Sequence, residues 1–407
     1  LVGNAAVPYD HTERLDMGNR ETGQYERVVA GGEEVSAFVP HPLPPADPPL
    51  VLDGQLADRL RHAEQALARL DLAGEMVPSL DRFIYAFVRK EAVISSQIEG
   101  TQASLVDLLR FEAEEESSPN PDVEEVCSHI DALAYARQQM VDARGLPLSM
   151  RLLNETHRLL MRGVRGAEKQ PGEVRRSQNW IGGSRPGNAV FVPPPHHVLP
   201  DLLGAFENYM HGEDELPPLV RAGLLHVQFE TIHPYLDGNG RIGRLLITLL
   251  LEHWGLLDKP LLYLSLFFKR NQIEYYRRLG AVRTDGDWEG WVDFFLDGVA
   301  TIAEEAIASS RELFALVSED RTSLLGSAAA SVTAVRLFEL LPRHPIVTVA
   351  SAMKLVEASK PTATRAIGIL DEAGILVETT GRRRDRSFAY QAYLDGLRVG
   401  TELETPR

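Results

Sequence analysis

The chain has 407 residues, 44% of them hydrophobic, with a formal net charge of −16 and a single cysteine, Cys127. That length suggests two or three domains around a sizeable core, and the acidic balance argues against a protein that coats nucleic acid. One cysteine excludes a disulfide framework and a cysteine zinc site and fits a reducing compartment; with no signal peptide and no run of 18 apolar residues, a cytoplasmic chain without a membrane span is expected.

The chain opens on Leu1 rather than Met, so a missing or processed start is expected. Residues 1–50 read as an irregular arm that ends in the Pro-rich stretch 40–49. From Val51 the pattern turns helical: Leu52, Leu56, Leu60, Ala63, Ala66, Leu67 and Leu70 recur mostly at three- and four-residue steps, one helix face. Further helices are predicted over 79–98, 105–115, 123–143 and 149–161, so that a helical region 51–145 precedes a core spanning 146–325. Residues 179–195 change texture. Two short apolar runs flank a Gly/Pro/Asn turn, which is a hairpin signal, and the prolines demote the second strand to an edge. Helices resume at 197–210, 219–232 and 241–254, with Gly255 as a C-cap. In the last part, 331–400, helices at 332–341, 349–356 and 361–373 precede short strands at 375–378 and 387–393 around the basic turn 381–386. Three helices and a two-stranded wing suggest a winged helix-turn-helix. Residues 331–407 hold 11 Lys/Arg against 9 Asp/Glu, near +2, which leaves about −18 on the rest.

The informative stretch is 233–244, His-Pro-Tyr-Leu-Asp-Gly-Asn-Gly-Arg-Ile-Gly-Arg. Gly238, Gly240 and Gly243 match a dinucleotide fingerprint, and Asp258 lies 20 residues beyond Gly238. That motif needs a preceding strand and a βαβ unit, whereas 226–232 reads as helix. His226, Glu230 and His233 share one helix face, a spacing that suits zinc. Pro234, however, biases His233 out of the helix and leaves His226 and Glu230 as buried, hydrogen-bonded core residues. A third reading uses every polar residue. Gly-Asn-Gly allows positive φ and an inward-facing nest of amides, and the helix starting near Arg241 presents its positive end to the same point. Arg241 and Arg244, one turn apart, can grip phosphate oxygens. Asp237 offers Mg²⁺ a hard oxygen, and His233 stands beside this cradle as a general base. A triphosphate site with a base and a metal is phosphoryl- or nucleotidyl-transfer chemistry.

This segment resembles the motif of the Fic family, His-Pro-Phe-x-Asp/Glu-Gly-Asn-Gly-Arg-x-x-Arg, with Tyr235 in place of Phe as the one departure. The similarity in layout extends over roughly 40–397 and implies a mainly α fold: an N-terminal helical region, a Fic helical core with a β-hairpin flap, and a C-terminal winged helix-turn-helix. The resemblance implies that His233 deprotonates a Ser, Thr or Tyr hydroxyl of a target protein, which attacks the α-phosphate of ATP and releases pyrophosphate. It implies Mg²⁺ on Asp237, phosphates wrapped by Gly238, Asn239 and Gly240, and outer phosphate oxygens on Arg241 and Arg244. Ile242 and Gly243 complete that ATP-binding segment. Asn271, Tyr275 and Tyr276 are similar to residues lining the adenine side, with core packing as the equal alternative. The hairpin, through Val190, Phe191, Val192 and Pro193, would dock the target backbone as an added strand, or be an ordinary surface hairpin.

Ser95-Ser-Gln-Ile-Glu-Gly100 resembles the family's inhibitory signature, Ser/Thr-x-x-x-Glu-Gly/Asn. By that resemblance Ser95, Glu99 and Gly100 form an inhibitory element in which Glu99 pairs with Arg244, removing the γ-phosphate's partner and adding like charge. A helix-end surface acid is the plainer reading of Glu99. In the tail, Lys360, Thr362, Thr364, Arg365 and the wing arginines suit DNA, though such domains also serve as homodimer or partner interfaces. Two classes stay open: an enzyme that modifies a target protein or itself, and a DNA-binding regulator whose core senses a nucleotide. Within the enzyme class, related members use other nucleotides or remove AMP.

Overall fold

The computed structural model describes residues 20–76, 80–113, 120–163, 166–382 and 385–403. It begins with strands β1 (Gly23–Ala30) and β2 (Glu33–Pro40), an antiparallel hairpin in register from Gly23 opposite Pro40 to Ala30 opposite Glu33. This corrects the expected irregular arm. Gly31 and Gly32 both take positive φ, 55° and 84°, which a two-residue hairpin turn requires. The Gly-Gly pair is the sequence signal for it, masked by charged residues on the exposed faces. Arg20 anchors the hairpin's root, bridging Glu289 and the carbonyls of Pro48, Pro49 and Gly286.

Helices follow in the expected order: α1 (Gly54–Met76), α2 (Leu80–Ile98), α3 (Leu105–Ala113), α4 (Pro121–Val141), α5 (Met150–Leu160), α6 (Leu199–His211), α7 (Pro218–Ile232) and α8 (Asn239–His253). Their starts are chemically marked. The Asn120 side chain accepts from Asp122 N–H before α4, and Ser149 Oγ accepts from Leu152 N–H before α5. Gly255 sits just past α8 at φ 66°. Sequence reading left 255–331 unassigned; it holds α9 (Ser265–Arg270), α10 (Gln272–Asp285) and the 39-residue α11 (Trp288–Gly326). Helix α1 lies along α11, with Arg59 bonded to Asp293 and Asp297.

The centre of the molecule is α7, buried on all sides from Leu219 to Ile232, the signature of a core helix. Trp291 Nε1–H donates to Gly223 O at 2.9 Å, and a Cβ at Gly223 would press into Phe295, so the glycine lets α11 cross α7 closely. The predicted hairpin at 179–195 shrinks to a single bridge between Ile181 and Phe191 around a 3-10 turn, Pro186–Asn188. Pro193, Pro194 and Pro195 have no N–H to extend it. Instead β2 lies beside the flap, and Phe38 N–H donates to Val192 O at 3.0 Å.

The C-terminal part runs α12 (Val332–Leu340), β3 (Ile346–Thr348), α13 (Val349–Val356), α14 (Lys360–Glu372), β4 (Val377–Glu378), β5 (Ser387–Ala389) and α15 (Gln391–Leu397). The helices and short strands come in the order expected, with two differences. A third strand, β3, joins an antiparallel sheet in the order β3-β5-β4. The strand expected over 387–393 stops at Ala389; Tyr390 N–H donates to Pro345 O, and α15 then turns back onto α11. Of the wing arginines, Arg383 and Arg384 lie outside the described residues. No described helix is long and apolar enough to cross a membrane.

Candidate active site

Helix α7 ends at His233, whose N–H closes the last turn on Phe229 O at 2.9 Å. His233 is left-handed, with φ 50° and ψ 61°, a conformation that costs a non-glycine residue of order 1–3 kcal/mol and persists only where its surroundings enforce it. The residue is partly exposed, while its Nδ1 is buried. Burial first, then the Arg175 guanidinium, push this imidazole down to about 4, against the Glu230 carbonyl and the Glu99 carboxylate, with Arg283 lowering it further. At neutral pH it is an uncharged proton acceptor.

The loop after it is braced side chain by side chain. Asn239 Oδ1 accepts from Tyr235 N–H and its Nδ2 donates to Tyr235 O, both at 2.8 Å. Tyr235 OH donates to Asn154 Oδ1 at 2.8 Å, and the ring stacks on His157 with centroids 3.9 Å apart. His157 Nδ1 accepts from Gly172 N–H, so Nε2 carries the proton and donates to Asp237 O at 3.0 Å. Gly238 turns the chain at φ 76° and α8 begins. Its first helical bond runs from Ile242 N–H to Gly238 O, which leaves the amides of residues 239–241 without helical partners. Asp237 projects a half-exposed carboxylate beside them and accepts from Gly238 N–H at 2.6 Å.

Arg244 is 3% exposed and fully engaged: Nε donates to Ser95 Oγ (2.9 Å), and Nη2 to Ser95 O (2.9 Å) and Glu99 Oε1 (2.7 Å). The same Glu99 oxygen stands over Gly240, where a Cβ would run into it. Gly100, at φ 96°, ends the turn that puts Glu99 there.

Several expected site residues lie elsewhere. Arg241 is engaged by a carboxylate: its buried Nη1 donates to Glu125 Oε1 at 2.7 Å, and Thr101 Oγ1 donates to the same oxygen. Ile242 is wholly buried in the core, and Gly243 packs against Glu230 and Phe229. Tyr275 is core as well, its hydroxyl donating to His226 Nε2 at 2.9 Å while His226 Nδ1–H donates to Gly243 O. Asn271 spends its amide on Phe267 O; Tyr276 alone of the three is exposed, at 48%. Among the described residues no cluster of His, Cys, Asp and Glu could hold a metal, which removes the zinc reading of His226, Glu230 and His233. In the flap, Val190 and Phe191 N–H both donate to Ile181 O, and Val192 O is taken by Phe38, so this backbone is already partly paired.

Two residues beside His233, Arg175 and Arg283, carry no mark in the sequence, and Glu230 keeps one oxygen without the hydrogen bond expected of it. Arg175 binds the end of α7. Arg283 stacks on Phe191 at 4.0 Å. The buried Glu230 Oε1 has no partner, and burial raises that carboxyl to about 7 despite Arg244. Only spatial folding brings them together, since 175, 230 and 283 belong to a loop and two separate helices.

Residues 57–138 match the family model described as Fic/DOC family N-terminal, and 147–251 match Fic/DOC family. Two stretches, together under half of the chain, thus resemble the Fic/DOC family. A probable protein adenylyltransferase of Aquifex aeolicus is 36% identical over 88 residues, 22% of this chain and 26% of that protein. The protein adenylyltransferase Fic of Drosophila grimshawi is 30% identical over 168 residues, 41% of this chain and 31% of that protein. The matched stretch thus spans between a quarter and a third of these relatives. A Fic family protein from Desulfovibrio desulfuricans shares the fold, with TM-score 0.54 at 20% identity over 84% of this chain and 97% of that one.

Proposed function

We propose that this protein transfers AMP from ATP to a hydroxyl of a target protein and that Glu99 holds the reaction back. The observation that carries the reading is the placing of an uncharged imidazole, His233, across a braced loop from the open amides of α8 and the guanidinium of Arg244. The names of the relatives, protein adenylyltransferases, support the same reaction class. In the proposed step the Ser, Thr or Tyr hydroxyl gives its proton to His233. Its oxygen forms a bond to the α-phosphorus, and the bond from that phosphorus to the bridging oxygen breaks, so pyrophosphate leaves with the electron pair. The amides of 239–241 face the phosphate charge without having to reorient, and Arg244 is the γ-phosphate's partner once Glu99 leaves it.

Asp237 fits a magnesium ligand: a half-exposed carboxylate at the phosphate end of the loop, with one oxygen steadied by Gly238. Mg²⁺ there would neutralise phosphate charge, keeping its other ligands from phosphates and water. Arg241 serves the site indirectly in this reading, tying α8 to α4 through Glu125. The flap residues Val190 to Pro193 offer a target edge, narrowed by the bond Val192 already makes to β2.

The chain itself is one possible target, and a cytoplasmic place suits its single cysteine. A second reading, a DNA-binding regulator or a homodimer built on the tail, draws on Lys360, Thr362, Thr364 and Arg365, all exposed on α14; a salt-dependent shift of a DNA fragment tests it. The main reading is tested by intact mass after incubation of the Glu99→Gly protein with ATP and Mg²⁺, with and without cell extract. A gain matching AMP on a protein is expected, and no gain on any protein sinks it.

A further inference from the structure

We infer that Arg175 is a positioning residue for His233: it holds the imidazole's backbone in its left-handed turn and fastens that turn to the base of the flap. This rests on the adenylyl-transfer reading only for its effect on turnover.

The inference starts from an imbalance. Arg175 is 1% exposed, yet among the described residues no carboxylate pairs with it. Burial lowers its guanidinium to about 10, so it stays charged at neutral pH. A buried charge without a counter-ion is costly unless dense hydrogen bonding replaces water. Here carbonyls alone do this. Nε donates to His233 O (2.9 Å), Nη2 to Pro194 O (2.6 Å) and Ile232 O (3.4 Å), and Nη1 to Ser177 O (3.2 Å). The Arg175 backbone N–H adds Pro234 O at 2.9 Å. One residue therefore captures three successive carbonyls, 232 to 234, of the turn that presents His233. They lie at and just past the C-terminus of α7, where a cation is electrostatically favoured.

The other acceptors, Ser177 and Pro194, bracket the flap segment in sequence, so the same fork joins the flap's base to the imidazole's backbone. A planar guanidinium can serve divergent acceptors in this way; an ammonium is a point donor and cannot span them. The charge also acts through space. The groups facing His233 from neighbouring elements are Arg175, Glu99 in the turn after α2 and Arg283 of α10, and Arg175 is the strongest of these.

The test places Arg175→Lys and Arg175→Met in the Glu99→Gly protein and uses two readouts. The first is the His233 titration, followed by NMR of histidine ring-labelled protein and assigned with His233→Ala; it needs neither ATP nor activity. Arg175→Met should move His233 up toward its ordinary 6.5, and Arg175→Lys, which keeps the charge, should leave it low. The second is AMP transfer against ATP concentration. Arg175→Met should lose on the order of 100-fold in kcat with KM for ATP changed far less, because misplacement of a catalytic group by about 1 Å costs that much. Arg175→Lys should also lose kcat, by roughly tenfold or more, since the fork is gone although the charge remains.

A merely structural arginine would lower melting temperature in both variants and move neither readout in the folded protein. A folded Arg175→Met with an unmoved His233 titration overturns the inference. Should that variant not fold, Arg175→Lys decides: wild-type kcat there overturns it. If the Glu99→Gly parent transfers no AMP, the reaction assignment fails, and the His233 titration still judges Arg175.

Discussion

Glu99 and Arg244 form an ion pair that closes over the start of α8. Glu99 Oε1 accepts from Arg244 Nη2 at 2.7 Å and also covers Gly240 at the start of α8. Burial works against ionisation of Glu99, but Arg244 overrides it and holds the carboxyl below its ordinary range. The pair is therefore charged at neutral pH, and a triphosphate meets an occupied cation and a carboxylate. Glu99→Gly should raise AMP transfer by roughly tenfold or more, the scale on which restored phosphate placement acts. Adding His233→Ala should abolish the gain. Labelled-ATP transfer measures both, and equal activity in wild type and Glu99→Gly removes the inhibitory role.

Ser95 should be a weaker brake of the same kind. Its hydroxyl and its carbonyl both accept from Arg244. Ser95→Ala removes the hydroxyl and leaves the buried Nε unpaired, a cost of about 1–3 kcal/mol on the closed arrangement. Activity is expected between that of wild type and Glu99→Gly, because the carbonyl and Glu99 contacts survive. An activity above that of Glu99→Gly would place the main restraint on Ser95 instead.

These two residues illustrate what could be read without coordinates. The 233–244 segment is legible because its function is local: glycine conformations, helix start and aligned side chains all lie within one loop and turn. Glu99 was reachable only through its resemblance to a motif, since nothing in 95–100 says which arginine it meets. The bond from Arg241 to Glu125 is invisible in the spacing, which puts Arg241 one turn from Arg244 but says nothing of a carboxylate 116 residues upstream. Tyr275 was left open between pocket and core because its aromatic type suits both; packing against Phe268 and the bond to His226 decide for core. The β1–β2 hairpin was missed since its exposed faces are charged and only the Gly-Gly turn announces it.

Tyr235 occupies the position where the family motif has Phe, and its hydroxyl has found a use. It donates to Oδ1 of the half-buried Asn154 at 2.8 Å. Tyr235→Phe keeps the ring and its stack on His157 but leaves that acceptor unpaired, at a cost of about 1–3 kcal/mol. Thermal unfolding should show a drop of several degrees, while AMP transfer in the Glu99→Gly background stays within a few-fold. A large loss of transfer at unchanged stability would mean that the hydroxyl acts in the site itself.

Four histidines are buried uncharged: His129 and His226 at about 3, and His157 and His233 at about 4, each lowered chiefly by burial. His253 and His344 are lowered too. In the unfolded chain these rings protonate near 6.5, so below that pH the unfolded state binds more protons and stability falls as pH falls. Glu91 and Glu230, raised by burial to about 7, act in the opposite sense. The folded state holds their protons, which favours folding below the ordinary carboxyl range and is lost as pH rises toward 7. Between pH 4.5 and 6.5 the histidines outnumber these two carboxyls, so the net effect is destabilisation on acidification, roughly 2–3 kcal/mol per pH unit at its steepest for an excess of about two protons. His129, wholly buried with its Nδ1 unpartnered, is the one to remove. Denaturant unfolding at a series of pH values should give a slope shallower by about one proton in His129→Gln than in wild type. An identical slope in the two proteins would mean that His129 is not the buried, uncharged ring described.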